Sequence, residues 1–365
     1  MSKILYIGGF ELPDKNAAAQ RVLSVAKALR LTGNEICFYG ITKSCDVKGC
    51  CDGFYYEACP YPDNTKTWIK YAIGYNIISY IKRLKPDIVI TYNYPAIAQQ
   101  RIIFYCHKNN IKVIGDITEW YSHKNVIKKL DSTLRMRWSN KKLDGIITIS
   151  KYLYHYYHKY NTLLLPPIVD KLESKWRQTT DNISSNSIKL IYVGSTSIGK
   201  DRLDYILKGI ENVGIKQFSI DVIGMTKSEY ISIYNSTIMD GVPVTFYGRL
   251  THLQAIKKLK SSDFQIFFRD PTRVNNAGFP TKFVESLSSG IPVITNQISN
   301  IGDYVINGKN SYIIDSPTEN EIQRILYDIS MLSRLEINKM KNEIDVNLFD
   351  YHKYAASIQT FIDNV

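Results

Sequence analysis

The chain alternates short apolar runs with longer segments in which apolar residues recur at helical spacing. KILYIGG (3–9) is typical of a buried strand, and AAAQRVLSVAKALRLTG (17–33) is typical of a helix that ends at a glycine. This alternation continues to LLLPPIVD (163–170), stops in the polar segment KLESKWRQTTDNISSNS (171–187), and starts again at IKLIYVGS (188–195). Alternating strands and helices predict parallel sheets that are covered by helices on both faces.

The interruption predicts two domains of the same α/β class. We expect two doubly wound, Rossmann-like parallel-sheet domains facing across a cleft, residues 1–170 and 188–349, joined by a linker at 171–187. A last helix is predicted within 350–365, packed back on the first domain. Because such sheets bind ligands at the carboxyl ends of their strands, the candidate functional residues are those that follow each strand.

Composition narrows the class of protein. The chain has 365 residues, 44% of them hydrophobic and 22% charged, as expected of a two-domain enzyme. The apolar run in MSKILYIGGF (1–10) is too short for a secretory signal, so a cytoplasmic protein is predicted. Four of the six cysteines lie between Cys45 and Cys59, but they lack the paired spacing of a zinc site, so no metal is predicted.

A formal net charge of +12 predicts an anionic partner. No nucleic-acid-binding signature is present. The clusters KKL (128–130) and RMRWSNKK (135–142) have two interpretations, contact with anionic lipid headgroups or plain solvation. The first would place the protein peripherally on the inner face of a membrane.

Cations stand where a helix is predicted to begin in YVGSTSIGKDRLDYIL (192–207). The helix dipole disfavours Lys200 and Arg202 at that position unless the helix amides and the cations share an anion. The spacing approaches a phosphate-binding loop, but Asp201 replaces the Ser or Thr that would hold Mg²⁺. Nucleotide hydrolysis therefore stays open as an alternative.

The segment GFPTKFVESLSSGIPVIT (278–295) predicts a short helix that runs into a buried strand. The free amides of Thr281 and Lys282 suit a phosphate, and the carboxylate of Glu285 suits the two hydroxyls of a ribose. The alternative is a simple Lys282–Glu285 surface pair. Arg269 lies in the loop that leads into this segment.

In the first half, Gly8 and Gly9 follow the first strand, without the full dinucleotide-binding motif. They either bring the backbone close to a ligand or form a tight turn. Asp116 ends the strand IKVIGDI (111–117), where it either acts on a sugar hydroxyl or caps a helix.

Several of these motifs resemble the family 4 glycosyltransferases, which are retaining enzymes of the GT-B fold that use nucleotide sugars. The resemblance lies in YVGS, FYGRL and above all GFPTKFVESLSSGIPVITN, continued by IGDYVINGKNSYIID; DGIITISKYL and LLLPPIVD resemble the end of the family's acceptor domain. It is specific over 188–315 and weaker before 140.

The resemblance implies roles for individual residues. Glu285 would bind the donor ribose, Lys200 would neutralise the donor diphosphate, and Gly9 would lie beside the diphosphate and the acceptor. The first Glu of the family's E-x7-E motif corresponds to Ala277 in this chain, and the Arg of its R-x4-K pair corresponds to Ser195. Arg269 or Arg202 would replace that missing Arg. The predicted catalytic residues are Lys200, Arg269 and Asp116, and the predicted donor-binding residues are Gly9, Gly194, Ser195, Arg202, Thr281, Lys282 and Glu285.

The predicted function is a metal-independent retaining hexosyltransferase without a bound cofactor. Its partners would be a UDP- or GDP-linked sugar and a saccharide or lipid-linked saccharide acceptor of cell-surface glycan synthesis. Two alternatives remain open, a nucleotide-sugar epimerase or related enzyme of the same fold and a catalytically degenerate nucleotide-sugar-binding protein.

Overall fold

The structure is a computed structural model that describes residues 1–13, 17–43, 47–122, 125–177, 187–194, 201–214, 217–238 and 241–365. The chain divides into two compact units. The first unit comprises Met1–Asp170, Ala277–Phe279 and Asp350–Val365, and the second comprises Lys171–Asn276 and Pro280–Phe349.

Within the described residues, the first unit has one eight-stranded sheet in the order β3-β4-β2-β1-β5-β6-β7-β8, parallel except for the β3–β4 pair. Its strands are β1 (Lys3–Gly8), β2 (Glu35–Thr42), β3 (Lys48–Cys51), β4 (Phe54–Pro60), β5 (Ile88–Tyr92), β6 (Lys112–Ile117), β7 (Gly145–Thr148) and β8 (Thr162–Leu164). Its helices up to residue 170 are α1 (Ala17–Leu31), α2 (Thr65–Ala72), α3 (Ile77–Leu84), α4 (Ala96–Lys108), α5 (Val126–Leu134) and α6 (Lys151–Tyr156). A π-helical turn (Arg135–Ser139) and a 3₁₀ turn (Asn140–Lys142) continue α5.

The second unit has, within the same described part of the chain, a six-stranded parallel sheet in the order β11-β10-β9-β12-β13-β14. Its strands are β9 (Ile188–Val193), β10 (Phe218–Ile223), β11 (Val244–Gly248), β12 (Phe264–Ile266), β13 (Val293–Asn296) and β14 (Tyr312–Ile314). The helices from here on are α7 (Leu203–Val213), α8 (Lys227–Tyr234), α9 (His252–Lys260), α10 (Arg273–Ala277), α11 (Thr281–Ser288), α12 (Glu319–Ser330), α13 (Arg334–Asn342) and α14 (Ala355–Asp363).

Both sheets have their cores where strands and helices meet. In the first unit, Tyr6 of β1, Val22 of α1 and Ile114 of β6 share one buried cluster with Phe361 and Ile362 of α14. In the second unit, α7 packs against α12, where a Cβ on residue 209 would come within 2.6 Å of Leu326 Cδ1, so Gly209 allows the close approach. The fold class predicted from the sequence is confirmed, because two doubly wound α/β units are present.

Three elements differ from the sequence predictions. The helical spacing of apolar residues in TWIKYAIGYNIISYIKRLK (67–85) predicts a single helix. The structure has two helices there, α2 and α3, because Gly74 takes a positive φ of 63° between them. The sequence also predicts one helix over 318–335. In the structure this helix ends at Ser330, and Ser333 caps the next helix with a capping box. The β3–β4 hairpin has no counterpart in the prediction.

Candidate functional site

The helix predicted from GFPTKFVESLSSG is present as α11, which has eight residues. Pro280 is its N-cap residue, and its side chain makes no capping hydrogen bond to the first turn. Gly290 follows its last residues with a φ of 73°, the left-handed conformation that ends a helix. The N–H groups of Thr281 and Lys282 stand in the first turn, where backbone donors have no partner within the helix, so this end suits an anion.

A buried ion cluster lies behind α11. The carboxylate of Asp201 accepts hydrogen bonds from Arg269 Nε and from Lys282 Nζ, both at 2.6 Å, and from the Tyr192 hydroxyl at 2.8 Å. Asp201, Arg269 and Lys282 are all buried. Burial alone would raise the pKa of Asp201, but the Lys282 and Arg269 cations outweigh it and hold that pKa well below its usual range. The cluster therefore stays ionised and has one more positive than negative charge.

The glycine at the end of β9 is explained by this cluster. A Cβ on Gly194 would lie 2.4 Å from the Tyr192 hydroxyl oxygen and 3.0 Å from Lys282 Nζ. Any side chain at this position would therefore displace the partners of Asp201. The donor-binding role of Gly194 stays a prediction. The structure does explain why this position is a glycine, because a side chain would crowd Tyr192 and Lys282.

Lys282 and Glu285 do not form the surface pair considered in the sequence analysis. Lys282 bonds to Asp201, whereas Glu285 Oε1 lies 3.2 Å from His252 Nε2 of α9. Both side chains of the His252–Glu285 pair are largely buried. The sequence analysis missed Asp201 and His252 as partners of the predicted donor-binding residues, because neither lies in the motif that drew attention to α11.

Arg202 has a different environment from Arg269. It is the N-cap residue of α7, pairs with the carboxylate of Asp204 at 3.0 Å, and lies over the ring of Tyr205 at 3.4 Å. Its guanidinium also lies 3.6 Å from Asp270. Lys200 and Ser195 lie outside the described residues, so their predicted roles remain predictions.

In the first unit, Asp116 lies inside β6 and has no exposed surface. Arg21 grips its carboxylate with two nitrogens, Nη2 at 2.7 Å and Nε at 2.9 Å, and the Tyr6 hydroxyl donates a third hydrogen bond. Burial, with the Asp116 charge in addition, raises the pKa of Tyr6 well above its usual range, so the phenol keeps its proton. A carboxylate so enclosed cannot reach a sugar hydroxyl, so this geometry favours a structural role over both the catalytic and the helix-cap interpretations.

The two glycines after β1 are both crowded. A Cβ on Gly8 would lie 2.7 Å from the Cβ of Tyr92, and one on Gly9 would lie 3.2 Å from the Tyr71 hydroxyl oxygen. Gly8 is therefore required by strand packing. Gly9 lies at the sheet edge where β1, β5 and β6 end, which is consistent with its predicted role without testing it.

Two further searches concern metals and membrane spans. Within the described ranges, no three His, Cys, Asp or Glu side chains come together as a metal-binding group. Cys50, Cys51 and Cys59 of the hairpin strands form no disulfide bond within those ranges, and Cys45 lies outside them. No helix among the described residues has the length and apolar character that crossing a membrane requires.

Solved structures share this fold over the whole chain. Sucrose-phosphate synthase from Thermosynechococcus elongatus is 14% identical with a TM-score of 0.70, covering 100% of this chain and 98% of that chain. HepE from Anabaena in complex with UDP-glucose is 11% identical with a TM-score of 0.72 and full coverage of both chains (100%). The catalytic domain of starch synthase IV from Arabidopsis thaliana, bound to ADP and acarbose, is 11% identical with a TM-score of 0.73, covering 100% and 98%. The fold is GT-B.

One family model matches part of the chain and indicates the class of enzyme. Residues 187–329, which include β9 and the α11 segment, match the family model for Glycosyl transferases group 1. A search of curated proteins finds no relative of this chain. The family match and the shared fold together support a glycosyltransferase similar to this group.

Proposed function

We propose that the protein is a retaining glycosyltransferase that moves a sugar from a nucleoside-diphosphate sugar to a saccharide or lipid-linked saccharide acceptor. The observation that carries the proposal is the N-terminus of α11, where Pro280 supplies no side-chain cap, together with the adjoining ion cluster of Asp201, Arg269 and Lys282. Both lie within the segment that matches the glycosyltransferase family model.

In the proposed reaction, negative charge develops on the diphosphate leaving group. Breaking the bond between the sugar and the diphosphate places negative charge on the leaving group, and fixed donors aimed at that charge lower the barrier. The amides of Thr281 and Lys282 would supply such donors, and Lys200 would add a further positive charge. Arg269 and the Lys282 side chain would act through the excess positive charge of their cluster, because Asp201 already takes one hydrogen bond from each. Stabilisation of the leaving group by these residues is what makes the proposed reaction metal-independent.

Glu285 would hold the donor ribose. It lies one turn beyond the start of α11, and its bond to His252 fixes the carboxylate in one orientation. A carboxylate held in this way offers acceptors to both ribose hydroxyls. UDP is the first nucleotide to test, because HepE is a UDP-glucose complex of the same fold. ADP, which starch synthase IV binds, and GDP are the next.

The first experiment is a thermal-shift screen of the purified protein with UDP, GDP, ADP, CMP and their sugar conjugates. A nucleotide present at one hundred times its dissociation constant adds about 2.7 kcal/mol to the free energy of unfolding. We expect one nucleoside diphosphate to raise the melting temperature, and Glu285→Ala to reduce that rise. Glu321→Ala is the matched control, because Glu321 is an exposed partner of Arg324 on α12.

A catalytically degenerate binding protein is the second candidate. It is favoured by Ala277, which replaces an acidic residue of the family motif and is fully buried, its carbonyl accepting a hydrogen bond from Ser150 at 2.7 Å. Nucleotide-sugar turnover distinguishes the two candidates. Release of free nucleoside diphosphate that depends on an added acceptor supports the transferase, whereas a thermal shift without any turnover supports the binding protein. No shift with any nucleotide would contradict both.

A further inference from the structure

An apolar stripe runs along the outer side of α5 and the turns that continue it. The exposed fractions are 77% for Val126, 78% for Ile127, 57% for Leu130 and 69% for Trp138, and Leu134 between them is also exposed. Isolated exposed apolar residues are common on protein surfaces, but a contiguous row of large ones marks a surface that binds something. We call Val126, Ile127, Leu130, Leu134 and Trp138 the α5 stripe.

Buried hydrogen bonds on the opposite side of the same segment keep the stripe facing outward. Met136 and Asn140 are buried, and the Asn140 side chain donates to the Tyr157 hydroxyl at 2.9 Å and accepts from Gln99 at 2.9 Å. The Tyr157 hydroxyl in turn donates to the Met136 carbonyl at 2.7 Å. Because these bonds hold the helical segment in one rotation, the stripe cannot turn inward without breaking a buried network.

A groove of about 260 Å³ adjoins the stripe between α4 and the π-helical turn. Its lining is mainly apolar and includes Ile97, Leu134 and Trp138, with Arg101 and Lys142 among the other lining residues. An apolar groove that also presents two cations has the chemistry of a site where an acyl chain meets a charged headgroup.

The exposed charges beside the stripe are mainly positive and therefore favour an anionic partner. Lys128, Lys129, Arg137, Lys141 and Lys142 are exposed cations of the segment 126–142. The segment holds one carboxylate, Asp131, and this side chain accepts a hydrogen bond from the Ala96 N–H. A second copy of the chain placed on this face would set like charges against each other, whereas an anionic surface would attract them.

We propose that the α5 stripe docks on an anionic lipid bilayer, with Ile127, Leu130 and Trp138 entering the boundary between headgroups and acyl chains and the cations contacting lipid phosphates. Trp and aliphatic residues on one side of a helix and Lys and Arg beside them are the pattern of helices that lie in the plane of a membrane interface. The inference rests on the proposed function, because it places a lipid-linked acceptor within reach of the first unit.

The test is co-sedimentation of the full chain with vesicles of phosphatidylcholine alone or mixed with phosphatidylglycerol. We expect binding to the mixed vesicles only, and a loss of about tenfold or more in partitioning for the triple variant Ile127→Glu, Leu130→Glu, Trp138→Glu. The matched control is Leu335→Glu on α13 of the second unit, which replaces a similarly exposed leucine (79%) and should bind as the wild type does.

A second variant separates charge from apolar contact. Lys128→Gln with Lys129→Gln leaves the stripe intact, so we expect weaker binding that falls further as salt is added. Binding of the triple variant equal to that of the wild type, or equal binding to both vesicle types, would overturn the proposal. So would a dimer in sedimentation equilibrium that the triple variant abolishes, since it would assign the stripe to self-association.

Failure of this inference is distinguishable from failure of the proposed function. The nucleotide-induced thermal shift depends on the second unit, and the triple variant lies in the first. A triple variant that loses vesicle binding but keeps its thermal shift supports the docking surface. A wild type that shows the thermal shift but binds no vesicles contradicts the docking surface alone.

Discussion

Asp201 connects residues of the second unit that no sequence motif joins. It is a buried carboxylate that joins a strand end, a loop and a helix through Tyr192, Arg269 and Lys282. Removing one partner from a buried ion cluster is costly because the charges left behind remain away from water. The cluster therefore stabilises the second unit and fixes the position of the charges that the proposed reaction would use.

For Asp201→Asn we expect a loss of about 3–5 kcal/mol in the free energy of unfolding near neutral pH, because two buried cations lose their counter-charge. Chemical denaturation measured by tryptophan fluorescence checks this value. Asp204→Asn, which breaks the partly exposed pair with Arg202, should cost at most about 1 kcal/mol. Equal effects of the two substitutions would contradict the assigned importance of the buried cluster.

The same cluster predicts a pH dependence with a definite sign. Because the pKa of Asp201 is lowered in the folded state, the unfolded chain binds this proton first as the pH falls. The stabilisation is complete above the ordinary carboxyl pKa of about 4 and is lost as the pH falls from there through the folded-state value. We therefore expect the difference in unfolding free energy between the wild type and Asp201→Asn to shrink below about pH 4. A difference that stays constant down the acid range would be contrary evidence.

Asp116 gives a test of the catalytic prediction made for it. Asp116→Asn keeps the shape of the side chain but removes the charge that Arg21 needs, so we expect a loss of about 3–5 kcal/mol in the free energy of unfolding. The rate of sugar transfer per folded molecule should change little, because the side chain is enclosed. A large fall in rate with unchanged stability would restore the catalytic interpretation.

Residues within one motif could be predicted from sequence, and residues joined across the chain could not. The α11 helix was predictable because Pro280 and Gly290 punctuate it locally. Asp201 lies 68 residues from Arg269 and 81 from Lys282, so no local pattern joins them. In the sequence Asp201 stands out as a departure from a phosphate-loop motif, and only the fold shows that it serves as an ion-pair partner.

At the scale of elements, the β3–β4 hairpin shows how a local signal can be overlooked. Its turn is Asp52–Gly53, and both residues take positive φ angles, 50° and 77°. An Asp-Gly pair is a favoured turn for a two-residue hairpin because both central positions must be left-handed. The cysteines near this turn lie in its two strands, Cys50 and Cys51 in β3 and Cys59 in β4.

The end of α11 carries a prediction of its own. Gly290→Ala should destabilise the protein by about 1 kcal/mol or slightly more, because a side chain is strained at a φ of 73°. Ser289→Ala is the neighbouring control. The buried Ser289 hydroxyl has no hydrogen-bond partner among the residues that the structure describes, so its removal should be neutral or slightly stabilising. Thermal unfolding of the two variants side by side gives the measurement, and the reverse order of stabilities would contradict the assigned backbone conformation.

At the scale of the whole molecule, alternation of strands and helices was sufficient to predict two largely parallel sheets, although not the antiparallel β3–β4 pair of the first. The alternation does not predict the order of the strands within each sheet, because that order depends on which strands pair with each other in three dimensions. The membership of α14 in the first unit likewise depends on packing. Ile358 and Phe361 of α14 are buried with the residues of β1 and α1, more than 300 positions earlier in the sequence.

We expect Ile358→Ala to lower the free energy of unfolding by about 2–5 kcal/mol, because it leaves a cavity in the core of the first unit. Thr360→Ala, on the exposed side of the same helix, should change it by less than about 0.5 kcal/mol. Denaturant unfolding of both variants is the check. A small effect of Ile358→Ala would mean that α14 contributes little to that core.

The place of α14 also decides when the first unit can be completed during protein synthesis. Its eight strands leave the ribosome long before residues 355–363, yet the core that they build includes side chains of those residues. Until then, the nascent chain would expose the apolar surface that Phe361 and Ile362 later cover. The unit that is synthesised first can therefore complete its core only after the second unit has been synthesised.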